Sequence, residues 1–141
     1  MLLIKKILIL EDNFKVLSAI LKELNQLEED QPYTFEIMVL TSGRQVERYI
    51  NSNPEDFDIV ILDRDCKLNE SFHVLNIKRI GADKIIGISS IEGYNIDLTK
   101  KGINLTITKD LSEIDKSARK IVEMIKNIIT PDHINKFRRK L

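Results

Sequence analysis

Apolar and polar residues form two kinds of blocks along the chain, short continuous apolar runs and longer segments whose apolar residues recur three or four positions apart. The continuous runs lie at residues 7–10, 35–40, 57–62, 84–88 and 103–108. Such runs are typical of strands that are covered on both faces. The helically spaced apolar residues are Phe14, Leu17, Leu21, Leu24 and Leu27, then Val46, Tyr49 and Ile50, then Phe72, Leu75 and Ile80, and last Ile114, Ala118, Ile121, Ile125 and Ile128. Strands that alternate with helices predict an α/β protein, a parallel sheet with helices on both faces.

Polar residues and glycines indicate where the helices begin and end. Residues 12–13 (Asp-Asn) are suited to cap the first helix, and Ser112 with Asp115 three residues later is typical of a capping box that opens the last helix. Gly81 is expected to end the third helix. The segment 90–101 has the most diluted helical pattern, because glycine and polar residues interrupt it.

Composition narrows the class of protein. The chain has 141 residues, which is the size of one domain, and its 22 basic and 22 acidic residues leave no net charge to attract nucleic acid or anionic lipid. Acidic residues outnumber basic ones by 14 to 8 in residues 1–70, and the ratio is reversed in residues 71–141. A single cysteine, Cys66, excludes an internal disulfide and favours a reducing cytoplasm. No apolar stretch approaches the roughly 18 residues of a membrane span.

Candidate chemistry lies at the carboxyl ends of the predicted strands, which meet at one edge of a parallel sheet. Glu11 and Asp12 follow the first strand, Asp63 the third, Ser89 the fourth and Lys109 the fifth. Three carboxylates together repel one another unless a cation lies among them, and a purely oxygen donor set favours Mg²⁺. Asp63 is then suited to attack phosphorus, with Mg²⁺ and Lys109 neutralising the transferring group and the Ser89 hydroxyl donating to it.

Four segments carry a resemblance to the receiver domain of bacterial two-component response regulators. They are ILILEDN at 7–13, FDIVILD at 57–63, IIGISS at 85–90 and LTITK at 105–109. The resemblance runs from about residue 4 to residue 129. It implies a flavodoxin-like (βα)5 fold with a five-stranded parallel sheet in the order 2-1-3-4-5. It also implies a receiver-like domain over residues 1–129 and a short basic tail over 130–141 without an output domain.

The resemblance further implies a role for each site residue. Asp63 would accept a phosphoryl group from a histidine kinase or a phosphotransfer protein, and Ser89 and Lys109 would bind that group and couple it to a change of shape. Mg²⁺ would be held by Glu11 through water, by Asp12 and Asp63, and by the backbone carbonyl of Asp65. Such a protein is cytoplasmic, is not a turnover enzyme, and signals by binding an output protein or a second copy of itself.

The sequence departs from the family pattern at four positions outside the acids. Lys67 stands where the family has a proline, Ser71 replaces a loop glycine, Thr106 replaces an aromatic residue on the fifth strand, and Asp110 replaces the proline after the site lysine. These departures leave the site acids in place and change residues that the family pattern uses for output.

Two alternatives therefore stay open. The first is a degenerate receiver that binds partners without phosphorylation. The second is a phosphatase, because Asp63-Arg64-Asp65 also resembles the DxD motif of haloacid-dehalogenase-type enzymes. Those enzymes carry the motif on their first strand, whereas two predicted strands precede it here. Arg64 itself is expected to face solvent or pair locally, and His73 to lie on the surface.

Overall fold

The structure is a computed structural model that describes residues 3–30, 32–52, 56–64 and 72–130. Five strands form one parallel sheet in the order β2-β1-β3-β4-β5. The strands are β1 (Leu3–Leu10), β2 (Tyr33–Leu40), β3 (Ile59–Asp63), β4 (Ile85–Ser89) and β5 (Leu105–Thr108). The α/β class and the strand order 2-1-3-4-5 are confirmed.

Helices cover both faces of this sheet. They are α1 (Phe14–Asp30), α2 (Gly43–Val46), α3 (Ile77–Ile80), α4 (Glu92–Lys100) and α5 (Ile114–Ile129). Side chains alternate between the faces of a strand, so Ile7 and Ile9 of β1 pack with α1 and α5, whereas Leu8 and Leu10 pack on the opposite face with Val46 and Leu98. Every residue of β3 and β4 is buried, which explains why these two runs lack polar alternation.

Two aromatic residues among the helically spaced apolar positions are exposed. Phe14 is 71% exposed, because the face of α1 that meets the sheet is centred on Val16 and Ile20 instead. Tyr49 is 49% exposed, because α2 continues as a wider π-helical turn over Glu47–Asn51 that buries Ile50 and leaves Tyr49 outside. At these two positions the spacing of apolar residues does not mark the buried face of the helix.

The third predicted helix is divided into two pieces. Phe72–Val74 form a 3-10 turn, and α3 begins only after Asn76, whose side-chain oxygen accepts the backbone N–H of Arg79. Asn51 holds the break in place, since its amide donates to the carbonyl of Val74 and accepts from the N–H of Asn76. Gly81 ends α3 with φ of 100°, as predicted.

Of the two predicted helix caps, the one that begins α1 is present and the one that begins α5 is not. The Asn13 side chain accepts the N–H groups of Lys15 and Val16, so the predicted cap of α1 is confirmed. The predicted capping box at Ser112 is wrong, because the Ser112 hydroxyl donates to Asp110 and α5 begins without a side-chain cap. A capping box is present at the start of α2, formed by Ser42 and Gln45.

Several sequence predictions fall outside the described residues. They concern Asp65, Cys66, Lys67, Ser71 and the basic tail from residue 131 onward. Within the described ranges, no helix combines the length and the apolar character that crossing a membrane requires.

Candidate functional site at the strand ends

The sheet brings the predicted site residues to one edge. Leu10 is paired with Leu62 and Asp63 with Ile88, so β1, β3 and β4 end nearly level. The ladder extends past the strand ends, since the N–H of Glu11 donates to the carbonyl of Leu40 and the N–H of Lys109 to that of Ser89. The backbone thus fixes the residues directly after β1 and β5 at the same edge of the sheet as the end of β3.

Charged groups are buried at this edge. Glu11 and Asp63 have no exposed surface and Lys109 is 4% exposed. The Lys109 ammonium lies 2.9 Å from Oδ1 of Asp63 and 3.2 Å from Oε2 of Glu11, although these residues are 46 and 98 positions away in the chain. Burying a charge is costly unless it is paired and hydrogen-bonded, and here one ammonium serves two carboxylates. We refer to Glu11, Asp63 and Lys109 as the buried ion cluster.

The carboxyl group of Asp63 is strongly perturbed. Its pKa is raised from 3.8 to about 8, first by burial and then by the charge of Glu11, while Lys109 opposes the rise through its charge and its hydrogen bond. In the metal-free protein Asp63 therefore keeps its proton to a higher pH than an exposed aspartate does. A cation at this site would favour the carboxylate form.

Asp12 adds a third carboxylate to the edge. One carboxylate oxygen from each of Glu11, Asp12 and Asp63 lies within 4.8 Å of the others, and Asp12 is only half-buried. Among the described residues, no other group of histidine, cysteine or acidic side chains meets this spacing. Because all three donors are hard oxygens and Asp12 is only half-buried, the set fits Mg²⁺. Asp65, the fourth predicted ligand, lies outside the described residues.

Ser89 is the buried last residue of β4, one position after Ile88, which is the ladder partner of Asp63. Its hydroxyl oxygen accepts the N–H of Ile91, the residue that precedes α4. The start of α4 is therefore attached to the same strand end that carries the predicted phosphoryl contact.

The loop after Lys109 is held by side chains where the family has a proline. The Asp110 carboxylate accepts the N–H and the hydroxyl of Ser112, and the Asp110 N–H donates to the Ser117 hydroxyl on α5. The bonds from Ser112 lower the pKa of Asp110. The peptide bonds of the described chain are all trans.

Arg64 makes a contact that the sequence did not indicate. Its guanidinium lies 4.8 Å from the centre of the Tyr94 ring and 3.7 Å from Oδ2 of Asp97, both on α4. The prediction that Arg64 pairs only locally or faces solvent was wrong, because the contact spans 30 or more residues. The sequence also did not indicate that Asn95 is buried and bonded to β5. Asn95 is 5% exposed, and its amide donates to the Ile107 carbonyl. Asn95 lies three positions before Leu98, and this helical spacing was the feature that could have indicated that the two residues share the buried face of α4.

The sequence matches no protein-family profile and no curated protein. Solved structures do match over most of the chain. The Mn²⁺-bound form of the response regulator Rcp1 is 18% identical, with a TM-score of 0.64 over 83% of this chain and 91% of that one. The response regulator TrrA from Thermotoga maritima, in complex with Mg²⁺-BeF, is 21% identical, with a TM-score of 0.60 over 89% and 99% of the two chains.

A response regulator receiver domain from Rhodospirillum rubrum is 16% identical, with a TM-score of 0.65 over 89% of this chain and 96% of that one. At sequence identities this low, the structural similarity is evidence for a shared fold. The strand order, the helices on both faces and these similarities agree: the chain has the fold of the response regulator receiver domain.

Proposed function

We propose that this protein is a receiver that accepts a phosphoryl group on Asp63. The observation that carries the proposal is the buried Asp63 carboxyl, held 2.9 Å from the Lys109 ammonium and clustered with Glu11 and Asp12 at the strand ends. A structural ion pair needs one carboxylate for one ammonium. This edge gathers three carboxylates, which is an arrangement suited to an additional cation and an anionic substrate.

The reaction is the transfer of one phosphoryl group to a carboxylate oxygen. A bond forms between Asp63 and phosphorus while the phosphorus–nitrogen bond of a donor phosphohistidine breaks. The donor imidazole keeps the electron pair of that bond, and the product on Asp63 is an acyl phosphate. Lys109 neutralises charge at the reacting oxygens, and Ser89 offers a hydroxyl at the neighbouring strand end.

Glu11, Asp12 and Asp63 would hold Mg²⁺, which when bound neutralises the phosphoryl oxygens. The donor set supports this proposal, as do the Mg²⁺-BeF complex of TrrA and the Mn²⁺-bound form of Rcp1. Asp65 would contribute its backbone carbonyl as a further ligand of Mg²⁺.

The donor would be a histidine kinase or a phosphotransfer protein, and the output an as yet unidentified protein or a second copy of the chain. The receiver fold supports these partner classes, and the single cysteine supports a cytoplasmic location. The protein would take up one phosphoryl group rather than turn over a substrate.

The test is uptake of phosphoryl from acetyl phosphate in the presence of Mg²⁺, followed by intact-protein mass spectrometry. We expect the mass of one added phosphoryl group, its loss on treatment with hydroxylamine, and no uptake by Asp63→Asn or in excess EDTA. Asp58→Asn is the matched control, because Asp58 is an exposed aspartate at the other end of β3 whose carboxylate accepts the N–H of Lys6. Equal labelling of Asp63→Asn and wild type would refute the assignment.

A second candidate function rests on Thr106 and Asp110, which replace the aromatic residue and the proline of the family pattern. The protein would then be a degenerate receiver that binds partners without phosphorylation. No Mg²⁺-dependent rise in melting temperature and no labelling of the wild type would favour this candidate. Sustained release of phosphate from a generic phosphomonoester would instead revive the phosphatase alternative.

A further inference from the structure

Asn95 lies on the buried face of α4, where a helix that covers a sheet normally carries apolar side chains. The two buried residues of α4 are Asn95 and Leu98. Leu98 packs on the sheet at Gly87. One of the two side chains with which α4 meets the sheet is therefore polar, although burying a polar group is costly unless its hydrogen bonds are made.

The Asn95 amide bonds to β5 through its nitrogen. Nδ2 lies 3.0 Å from the Ile107 carbonyl oxygen and 3.5 Å from Oγ1 of Thr108. A carbonyl only accepts hydrogen bonds, so the nitrogen and not the oxygen of the amide must face Ile107. The Asn95 Oδ1 is buried as well, and no donor among the described residues bonds to it. Because a leucine would fill the same place without an unsatisfied acceptor, the packing of α4 alone does not account for the asparagine.

The contact of Asn95 falls on the step of the sheet that carries Ser89 and Lys109. Thr108 is the ladder partner of Ser89. The next residue, Lys109, donates its N–H to the Ser89 carbonyl at 2.6 Å. The Lys109 ammonium in turn lies 2.9 Å from Oδ1 of Asp63. Asn95 therefore binds the segment of β5 that directly precedes Lys109, at the ladder position opposite Ser89.

The start of α4 also reaches the side chain of Ser89. The N–H of Ile91, which lies four positions before Asn95, donates to the Ser89 hydroxyl oxygen at 3.0 Å. A hydroxyl that accepts one bond can still donate its own proton, so this bond orients Ser89 without blocking the proposed donation to a phosphoryl oxygen. Because Ile91 and Asn95 are one helical turn apart, the side chain that holds α4 on β5 also holds the N–H that orients the hydroxyl.

We infer that Asn95 is a positioning residue for phosphoryl transfer, which keeps the end of β5 and the start of α4 in a fixed relation so that Ser89 and Lys109 meet the phosphoryl group together. The inference rests on the proposed function. The acceptor Asp63 and the candidate Mg²⁺ ligands belong to the ends of β3 and β1, on the other side of β4. A misplacement of reacting groups by about 1 Å can slow a reaction by about a hundredfold. Loss of the Asn95 contact should therefore slow the transfer and spare the metal site.

The experiment measures, on the full chain, the initial rate of phosphoryl uptake from acetyl phosphate in excess Mg²⁺ by intact-protein mass spectrometry and the Mg²⁺ affinity by isothermal titration calorimetry. Asn95→Leu should slow uptake by about tenfold or more, while Mg²⁺ binding is not weakened and the melting temperature stays close to that of the wild type. A variant that is merely destabilised would not lose the rate and keep the metal site. If Asn95→Leu does not fold, Asn95→Ser, whose shorter side chain cannot reach the Ile107 carbonyl, should show the same split.

Two changes on the same helix serve as matched controls. Leu98→Val shortens the apolar side chain of the buried face and should lower the melting temperature with little change in the rate of uptake. Thr99→Val removes an exposed hydroxyl that donates to the Asn95 backbone carbonyl at 3.0 Å, and the variant should be labelled at the rate of the wild type.

The wild type and the variants together separate the two ideas. If the wild type takes up no phosphoryl group, the proposed function fails and the inference fails with it. If the wild type is labelled and Asn95→Leu is labelled at the same rate, the proposed function stands and the inference alone is overturned. Equal slowing in Leu98→Val would also overturn the inference, because the seating of α4 in general, and not the amide, would then set the rate.

Discussion

The buried ion cluster and the contact of Arg64 with Tyr94 and Asp97, which we call the α4 bridge, use the same chemistry in opposite surroundings. Both pair a cation with carboxylates near the end of β3, but Lys109 and its partners are almost fully buried at 2.9 and 3.2 Å, whereas Asp97 is 43% exposed and lies 3.7 Å from Arg64. Water screens the second pair and cannot screen the first. The comparison teaches that burial sets which charge contacts hold the fold and which ones are free to change.

The largest expected effect is the loss of the buried ammonium. Lys109→Met should lower the free energy of unfolding by about 3–5 kcal/mol, because the buried carboxylate of Glu11 then has lost the ammonium that pairs with it. Urea denaturation at neutral pH in EDTA measures the change. Lys101→Met removes an exposed ammonium that pairs with Asp97 and should cost less than about 1 kcal/mol. Similar losses for the two variants would remove the contrast between the regions.

The next effect is a pH dependence that comes from Asp63 in the buried ion cluster. In metal-free protein the pKa of Asp63 is raised from 3.8 to about 8. The folded state therefore binds more protons than the unfolded state between these values. The stability that the proton provides is complete below pH 3.8 and is lost as the pH rises through about 8. The slope reaches at most about 1.4 kcal/mol per pH unit.

Urea titrations across this range in EDTA test the slope. Asp63→Asn should remove it, and Asp58→Asn, which changes an exposed carboxylate on the same segment, should retain it. Stability of the metal-free wild type that rises over this range would contradict the assignment of the proton to Asp63.

A smaller effect concerns the way α4 is attached to the sheet. Gly87→Ala places a methyl group 2.5 Å from Cδ1 of the buried Leu98 and should destabilise the protein by about 1–3 kcal/mol. Gly93 of α4 is exposed with no heavy atom within 4 Å of an added Cβ, so Gly93→Ala should stabilise the protein by about 0.5–1 kcal/mol. Thermal unfolding compares the two. Equal signs would show that α4 is not seated on Gly87 as described.

The smallest effect is expected for the α4 bridge. Asp97→Asn removes the carboxylate that lies near both Arg64 and Lys101, yet should change the free energy of unfolding by less than about 1 kcal/mol. Glu113→Gln breaks the exposed pair with Lys116 and gives the size of an ordinary surface contact. A loss of several kcal/mol in Asp97→Asn alone would place the bridge among the structural contacts.

Much of this fold could be predicted because strands buried on both faces leave a local signal. Residues 57–62 and 84–88 consist largely of apolar residues, and they correspond to β3 and β4, whose residues are all buried. Since parallel strands end at one edge, the positions of Glu11, Asp63 and Lys109 next to those runs were enough to predict that they meet. Their individual roles in phosphoryl transfer stay predictions.

Helix faces and ends were harder to predict, because neighbouring elements decide them. Phe14 and Tyr49 fit an apolar spacing and are nevertheless exposed. Ser112 fits a capping box, but its hydroxyl bonds to Asp110, which no local pattern indicates. The contact of Arg64 with Tyr94 depends on the crossover that places α4 beside the end of β3.

The amino-acid sequence alone determined the alternation of strands and helices, the parallel sheet, and the residue types gathered at its carboxyl edge, because burial and periodicity act over a few neighbouring residues. Tertiary structure decided the distances between charges, the raised pKa of Asp63 and the reach of Arg64 to α4. Those properties depend on groups 30 to 98 residues apart and on the exclusion of water between them, which a local pattern does not encode.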